Sequence, residues 1–177
     1  FAVLAAPNIW LVFRATKSHI PSTLTPEAYH LVRRFLGAIA GLVVFIASIA
    51  FGAATGARWE TILQYINATP FTKLDADTGA LIPLLDPIFN KGIDFFVFTL
   101  PLLGFVRGWF LGAAIVTLLF VLGLYVLLLG LRERGIVIPQ SVKIHVASIG
   151  ALLFIVIAVG HWLGRYELLY SSQVLVY

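Results

Sequence analysis

An all-α integral membrane fold is what this sequence predicts: three full transmembrane helices plus the end of a fourth, with an interfacial amphipathic helix. Three observations carry the prediction. Sixty per cent of the residues are hydrophobic and only eleven per cent charged, with a mean hydropathy of +1.00. A soluble domain carries roughly a quarter charged residues. The apolar residues are gathered into long runs, and a run of about 20 residues suffices for a helix to cross the hydrocarbon layer. Charged and turn-forming residues are confined to the breaks between runs. The whole of 1–177 therefore reads as a single transmembrane helical bundle.

Taken in order, 1–13 (FAVLAAPNIWLVF) is apolar but too short to span. It is expected to be the last half of a helix, ended by Arg14, Lys17, His19 and Pro21. Thr25-Pro26-Glu27 reads as a helix start, with Thr as N-cap, Pro at the first position and an early acid. That helix passes Arg33 and Arg34 and becomes the first full span, 35–55. Residues 58–67 place Trp59, Ile62, Leu63 and Ile66 on one helical face, with Arg58, Glu60, Thr61, Gln64 and Asn67 elsewhere. Such a helix lies flat at a membrane interface. A turn-rich stretch, 69–90, and a Phe-rich one, 93–103, complete an interfacial segment over 58–103. The second span is 108–131, closed by Arg132-Glu133-Arg134-Gly135, and the third is 144–163. No Met occurs, so Phe1 is not a translation start and the stretch is expected to be a piece of a longer chain. No Cys occurs either, which excludes disulfides, thiolate metal sites and Cys nucleophiles.

Loop charge predicts orientation. The first loop holds Arg14, Lys17, Arg33 and Arg34 against Glu27, and the third holds Arg132, Arg134 and Lys143 against Glu133. The second holds Arg58, Lys73 and Lys91 against Glu60, Asp75, Asp77, Asp86 and Asp94. Basic residues mark cytoplasmic loops, so 14–34 and 132–143 face the cytoplasm of a bacterial inner membrane and 56–103 lies outside. Trp59, Trp109 and Trp162 then form an aromatic belt at the outer boundary, and Arg107 sits among the outer headgroups. The net charge of +4 is thus a topology signal, and no nucleic-acid partner is expected.

The motifs RWETILQYINATPF, DPIFNKGIDFFVFTLP and GHWLGRYELLYS together resemble an uncharacterised family of large multi-pass bacterial membrane proteins. The resemblance covers essentially the whole stretch. It implies a series of N-terminal transmembrane helices followed by a large extracytoplasmic domain, with this chain an internal fragment of the N-terminal half. Gly92 departs from the pattern expected beside Asp94, which puts the local turn in question. The family implies no activity.

Candidate chemistry is sparse. His19, His30, His145 and His161 are the only imidazoles, and no two have metal-pair spacing. His161, flanked by Gly160 and Gly164, is the nearest to a pigment or haem ligand, but a boundary histidine bonded to water or backbone accounts for it and for His145. No cofactor is expected. Asp75-Ala76-Asp77-Thr78-Gly79 lacks the downstream bidentate acid of a calcium loop, so a solvated turn is expected. Asn67-Ala68-Thr69 fits a glycosylation sequon by chance; a helix end before Pro70 explains it. No ionisable residue falls at the centre of a span, where transporters and proton channels place theirs.

The positive signal is glycine. The pairs Gly37/Gly41, Gly52/Gly56, Gly104/Gly108, Gly108/Gly112 and Gly160/Gly164 are all four apart. Chance placement of fifteen glycines yields roughly one such pair, and this spacing lets helix backbones approach closely. Gly52/Gly56 also fits a helix C-cap. The expected function is a non-catalytic accessory or structural subunit, its partners the lipid bilayer and other integral membrane subunits, possible hosts including photosynthetic or respiratory electron-transfer complexes. The alternative is a transporter, or the membrane anchor of an extracytoplasmic enzyme domain.

Overall fold

The computed structural model describes residues 1–16, 25–130 and 138–168. Its elements are α1 (Ala2–Thr16), α2 (Pro26–Gly56), α3 (Trp59–Ile66), strands β1 (Thr72–Leu74) and β2 (Leu81–Pro83), a π-helical turn (Phe95–Thr99) running directly into α4 (Leu100–Gly130), and α5 (Gln140–Glu167). Helix dominates, and the sheet is a two-stranded antiparallel hairpin. The fold is that of an all-α membrane protein. Pro26–Gly56, Phe95–Gly130 and Gln140–Glu167 are long and apolar enough to cross a membrane, while Ala2–Thr16 is apolar but short.

The first and third predicted spans lie inside longer helices, and the second starts inside one. The three helices have 31, 36 and 28 residues, or about 46, 54 and 42 Å at 1.5 Å per residue, against about 30 Å of hydrocarbon. The second predicted span ends at 131, just outside the described residues. The segment expected over 58–103 is composite: it holds α3, the hairpin and the first turns of the helix that continues to Gly130. The Phe-rich stretch is thus continuous with the span. Pro101 lies inside this helix. A proline lacks the helix-bonding N–H, and its ring presses on the carbonyl four residues back. The chain answers with a wide turn in which the Leu100 N–H reaches the Phe95 carbonyl, five residues back.

The described residues form two compact units. The first comprises Phe1–Ala54 and Phe110–Ile155. Its core gathers Val12 of α1, Ala40 of α2, Val121, Leu124 and Leu128 of α4, and Ile149 of α5. Thr25 caps α2 as predicted, its Oγ1 accepting from the Ala28 N–H at 3.3 Å. The last carbonyls of a helix call for partners beyond its own N–H groups. α2 supplies them: Arg33 Nη2 donates to the Phe13 carbonyl (2.6 Å) and Tyr29 Oη to that of Thr16 (3.1 Å), while Arg33 Nη1 bonds Tyr29 Oη (3.0 Å).

The second unit comprises Thr55–Trp109 and the described residues from Val156. Phe96, Leu100, Leu163 and Tyr166 form its core, with Phe89 and Phe95 packed against them. Tyr166 is the hub, meeting Phe89 and Phe95 edge-on at centroid distances of 4.9 and 5.1 Å. α3 packs against the π-helical turn. Between the strands, Asp75 Oδ2 accepts from Thr78 Oγ1 (2.6 Å) and Gly79 takes a positive φ of 66°. Asp86 is buried, and its Oδ2 holds the Ile88 and Phe89 N–H groups at 3.0 and 2.6 Å. Gly92 leaves room here for Asp94: a Cβ would collide with the carboxylate as it is placed, so the Asp94 side chain would have to turn away.

Candidate functional site

The densest polar arrangement among the described residues crosses three helices of the first unit. Tyr125 of α4 is buried, with its hydroxyl 2.8 Å from His145 Nδ1 of α5. His145 Nε2 is 2.9 Å from Asn8 Oδ1 of α1. The Asn8 amide orientation is set by its other bond, Nδ2 donating to the Leu4 carbonyl at 2.6 Å. Asn8 Oδ1 therefore accepts, Nε2 carries the imidazole proton, and Nδ1 accepts from Tyr125. The bonds run in one direction, Tyr125 to His145 to Asn8 to Leu4. Buried groups of this kind are costly unpaired and cooperative when satisfied. His145 is thus bonded to side chains of two other helices, where the sequence suggests water or backbone.

Beside this network lies a cavity of about 280 Å³ lined by Leu11, Arg14, Ala15, Tyr125, Ser141 and His145. A second groove of about 380 Å³ follows α4 and α5 past Leu122, Val126, Val142 and Val146, apolar but for Tyr125 and Lys143.

The residues singled out in the sequence fall in several places. A Cβ at Gly112 would meet the Phe51 ring of α2 in ordinary van der Waals contact, at 3.7 Å. At Gly160 the Arg107 guanidinium occupies the space a Cβ would take, so this glycine lets α4's arginine lie against the α5 backbone. Arg107 Nε is buried there without a hydrogen-bond partner. A Cβ at Gly37, Gly41, Gly104, Gly108 or Gly164 would meet nothing within 4 Å. On α3, Trp59, Leu63 and Ile66 are exposed and Ile62 half-buried. Trp109 is half-buried, and the exposed Trp162 carries the Arg165 guanidinium 4.3 Å above its ring. His161 is exposed on α5, away from the network. Among the described residues, no three of His, Asp and Glu gather as metal ligands would.

Long apolar helices joined by inter-helix polar bonds define a segment of a multi-pass helical membrane protein. Residues 1–177 match throughout the family described as Uncharacterised protein family (UPF0182), and the chain belongs to that family. The UPF0182 protein of Synechococcus sp. (strain JA-2-3B'a(2-13)) is 33% identical over 132 residues, covering 73% of this chain and 14% of its own length. That of Trichlorobacter lovleyi is 33% identical over 184 residues, covering 98% and 19%. That of Trichodesmium erythraeum is 29% identical over 174 residues, covering 96% and 18%. The chain thus spans less than a fifth of the length of these relatives. No solved structure matches it.

Proposed function

We propose that this segment is a non-catalytic scaffold in the bacterial cytoplasmic membrane, packing against further membrane helices of its own protein or of partner subunits. The observation that carries the reading is the open glycine face of α2. Gly37 and Gly41 stand one turn apart with no atom near either Cβ position. Small residues at this spacing let a second helix backbone approach closely, and packing is what holds helices together in lipid. Gly104 and Gly108 offer a similar face on α4.

The test is partner recovery in a mild-detergent pull-down of the whole protein. Gly41→Leu and Gly108→Leu leave membrane insertion unchanged, because the topology signals are untouched, and lower the yield of associated subunits. Unchanged recovery from both variants overturns the reading. Redox subunits among the recovered partners would place the host among electron-transfer complexes. A second reading, the anchor of an extracytoplasmic domain, draws on the relatives' length, most of which lies outside the matched region. An isolated extracytoplasmic portion with catalytic turnover of its own would favour that reading.

A further inference from the structure

We propose that the cavity between α1, α4 and α5 is a binding site for the phosphate headgroup of an anionic phospholipid. Its lining divides by chemistry. Leu11, Ala15 and the Tyr125 ring are apolar; Arg14, Ser141 and His145 are polar. Among the described residues, Arg14 is the one charged group lining it, and no carboxylate does. The Arg14 guanidinium lies 5.1 Å over the Trp10 ring. Such stacking engages the face of the guanidinium and leaves its in-plane N–H donors for a phosphate, which an arginine holds with two parallel bonds. Ser141 adds a hydroxyl donor on α5. Behind them, both His145 nitrogens are engaged, to Tyr125 and to Asn8. The imidazole is therefore a fixed wall of the cavity and does not compete for the ligand.

Depth selects the lipid over a free anion. Tyr125 stands five residues before the end of α4, and His145 five residues after the start of α5. At 1.5 Å per residue both lie about 7.5 Å from the helix ends, comparable to the headgroup layer that adds about 5–8 Å on each side of the hydrocarbon. Basic pockets between transmembrane helices recruit anionic headgroups by this juxtaposition of cation and depth. The site does not depend on the scaffold reading, since no partner protein enters it.

The experiment uses the full chain in mild detergent, with bound lipid counted by native mass spectrometry. Phosphatidylglycerol is retained at least about fivefold over phosphatidylcholine, the preference expected of one arginine at the surface. Arg14→Ala removes that preference, Arg14→Lys restores part of it, and inorganic phosphate at equal concentration fails to displace the lipid. Equal retention of the two lipids overturns the proposal, as does a preference indifferent to Arg14→Ala. Displacement by inorganic phosphate would assign the cavity to a free anion. Absence of any bound lipid would assign it to another segment of the protein. A second readout covers the case in which Arg14→Ala fails to fold. In vesicles, brominated phosphatidylglycerol quenches the Trp10 fluorescence, defined by difference from Trp10→Phe, more than brominated phosphatidylcholine at the same fraction. Equal quenching sinks the idea independently.

Discussion

At His145 one imidazole ties α4 to α1, and its substitution separates two costs. His145→Phe leaves the Tyr125 hydroxyl and the Asn8 amide oxygen without their partner, and an unsatisfied buried group costs about 1–3 kcal/mol. Tyr125→Phe removes a donor and leaves only Nδ1 unpaired, so its cost is smaller. Thermal unfolding in detergent should rank His145→Phe below Tyr125→Phe; the opposite order would refute the directed chain. Gly160 admits a cleaner test, because its neighbour is known. Gly160→Ala must push aside the Arg107 guanidinium, the end of a flexible side chain, so its cost stays at the low end of the about 1–3 kcal/mol of an overpacked contact. In an Arg107→Ala background the same substitution should cost almost nothing. Additive effects in this double-mutant cycle would mean that the two groups do not touch. Neither pairing was legible beforehand. Asn8 and His145 lie 137 positions apart, and no local period marks the partnership. Gly160 was singled out for helix packing, but the spacing of glycines does not say whether a backbone or a guanidinium fills the gap. Arg33 was read as a topology signal, while its bond to the α1 carbonyls depends on how two helices meet.

α3 shows what periodicity can and cannot establish. The spacing of Trp59, Ile62, Leu63 and Ile66 produced the helix where it was expected, with Trp59, Leu63 and Ile66 uncovered and Ile62 half-buried. One apolar face thus has two destinations, and the variants should behave differently. Ile62→Asp introduces a charge where burial of an aliphatic side chain is worth about 1.5–3 kcal/mol, so it lowers the unfolding temperature even in detergent. Ile66→Asp touches little within the chain and leaves that temperature unchanged. It instead weakens quenching of Trp59 by brominated lipid, as expected of a helix lying at an interface. Equal losses of stability from the two substitutions would rule out this division. The long helices were legible because lipid demands unbroken apolar runs. Their ends were not, since 95–106 are apolar as well and nothing in composition separates a residue in lipid from one packed on Phe89 and Tyr166. The sequence divides a Phe-rich stretch, 93–103, from the span that begins at 108; the π-helical turn carries one helix past Pro101 and through that division.

For the whole molecule, the remaining expectation is which side each end faces. The N-terminus of α5, the C-terminus of α1 and the start of α2 lie at one end of the first unit, tied by the Arg14–Ser141 cavity and by the Arg33 bonds to α1. That end carries Arg14, Arg33, Arg34 and Lys143, with Glu27 the one acid on the same helices there. The hairpin that follows α3 carries Asp75 and Asp77 with Lys73. Lys and Arg in short loops favour the cytoplasmic side, so the basic end is expected in the cytoplasm and the hairpin outside. Since the chain has no cysteine, a single introduced thiol reports without background. Asp77 is exposed in the hairpin turn and Gln140 is exposed at the start of α5, so neither substitution disturbs packing. In spheroplasts, an impermeant thiol reagent should label Asp77→Cys and spare Gln140→Cys until the membrane is opened. Labelling of Gln140→Cys alone would invert the topology, and labelling of both in intact spheroplasts would mean that α4 does not cross.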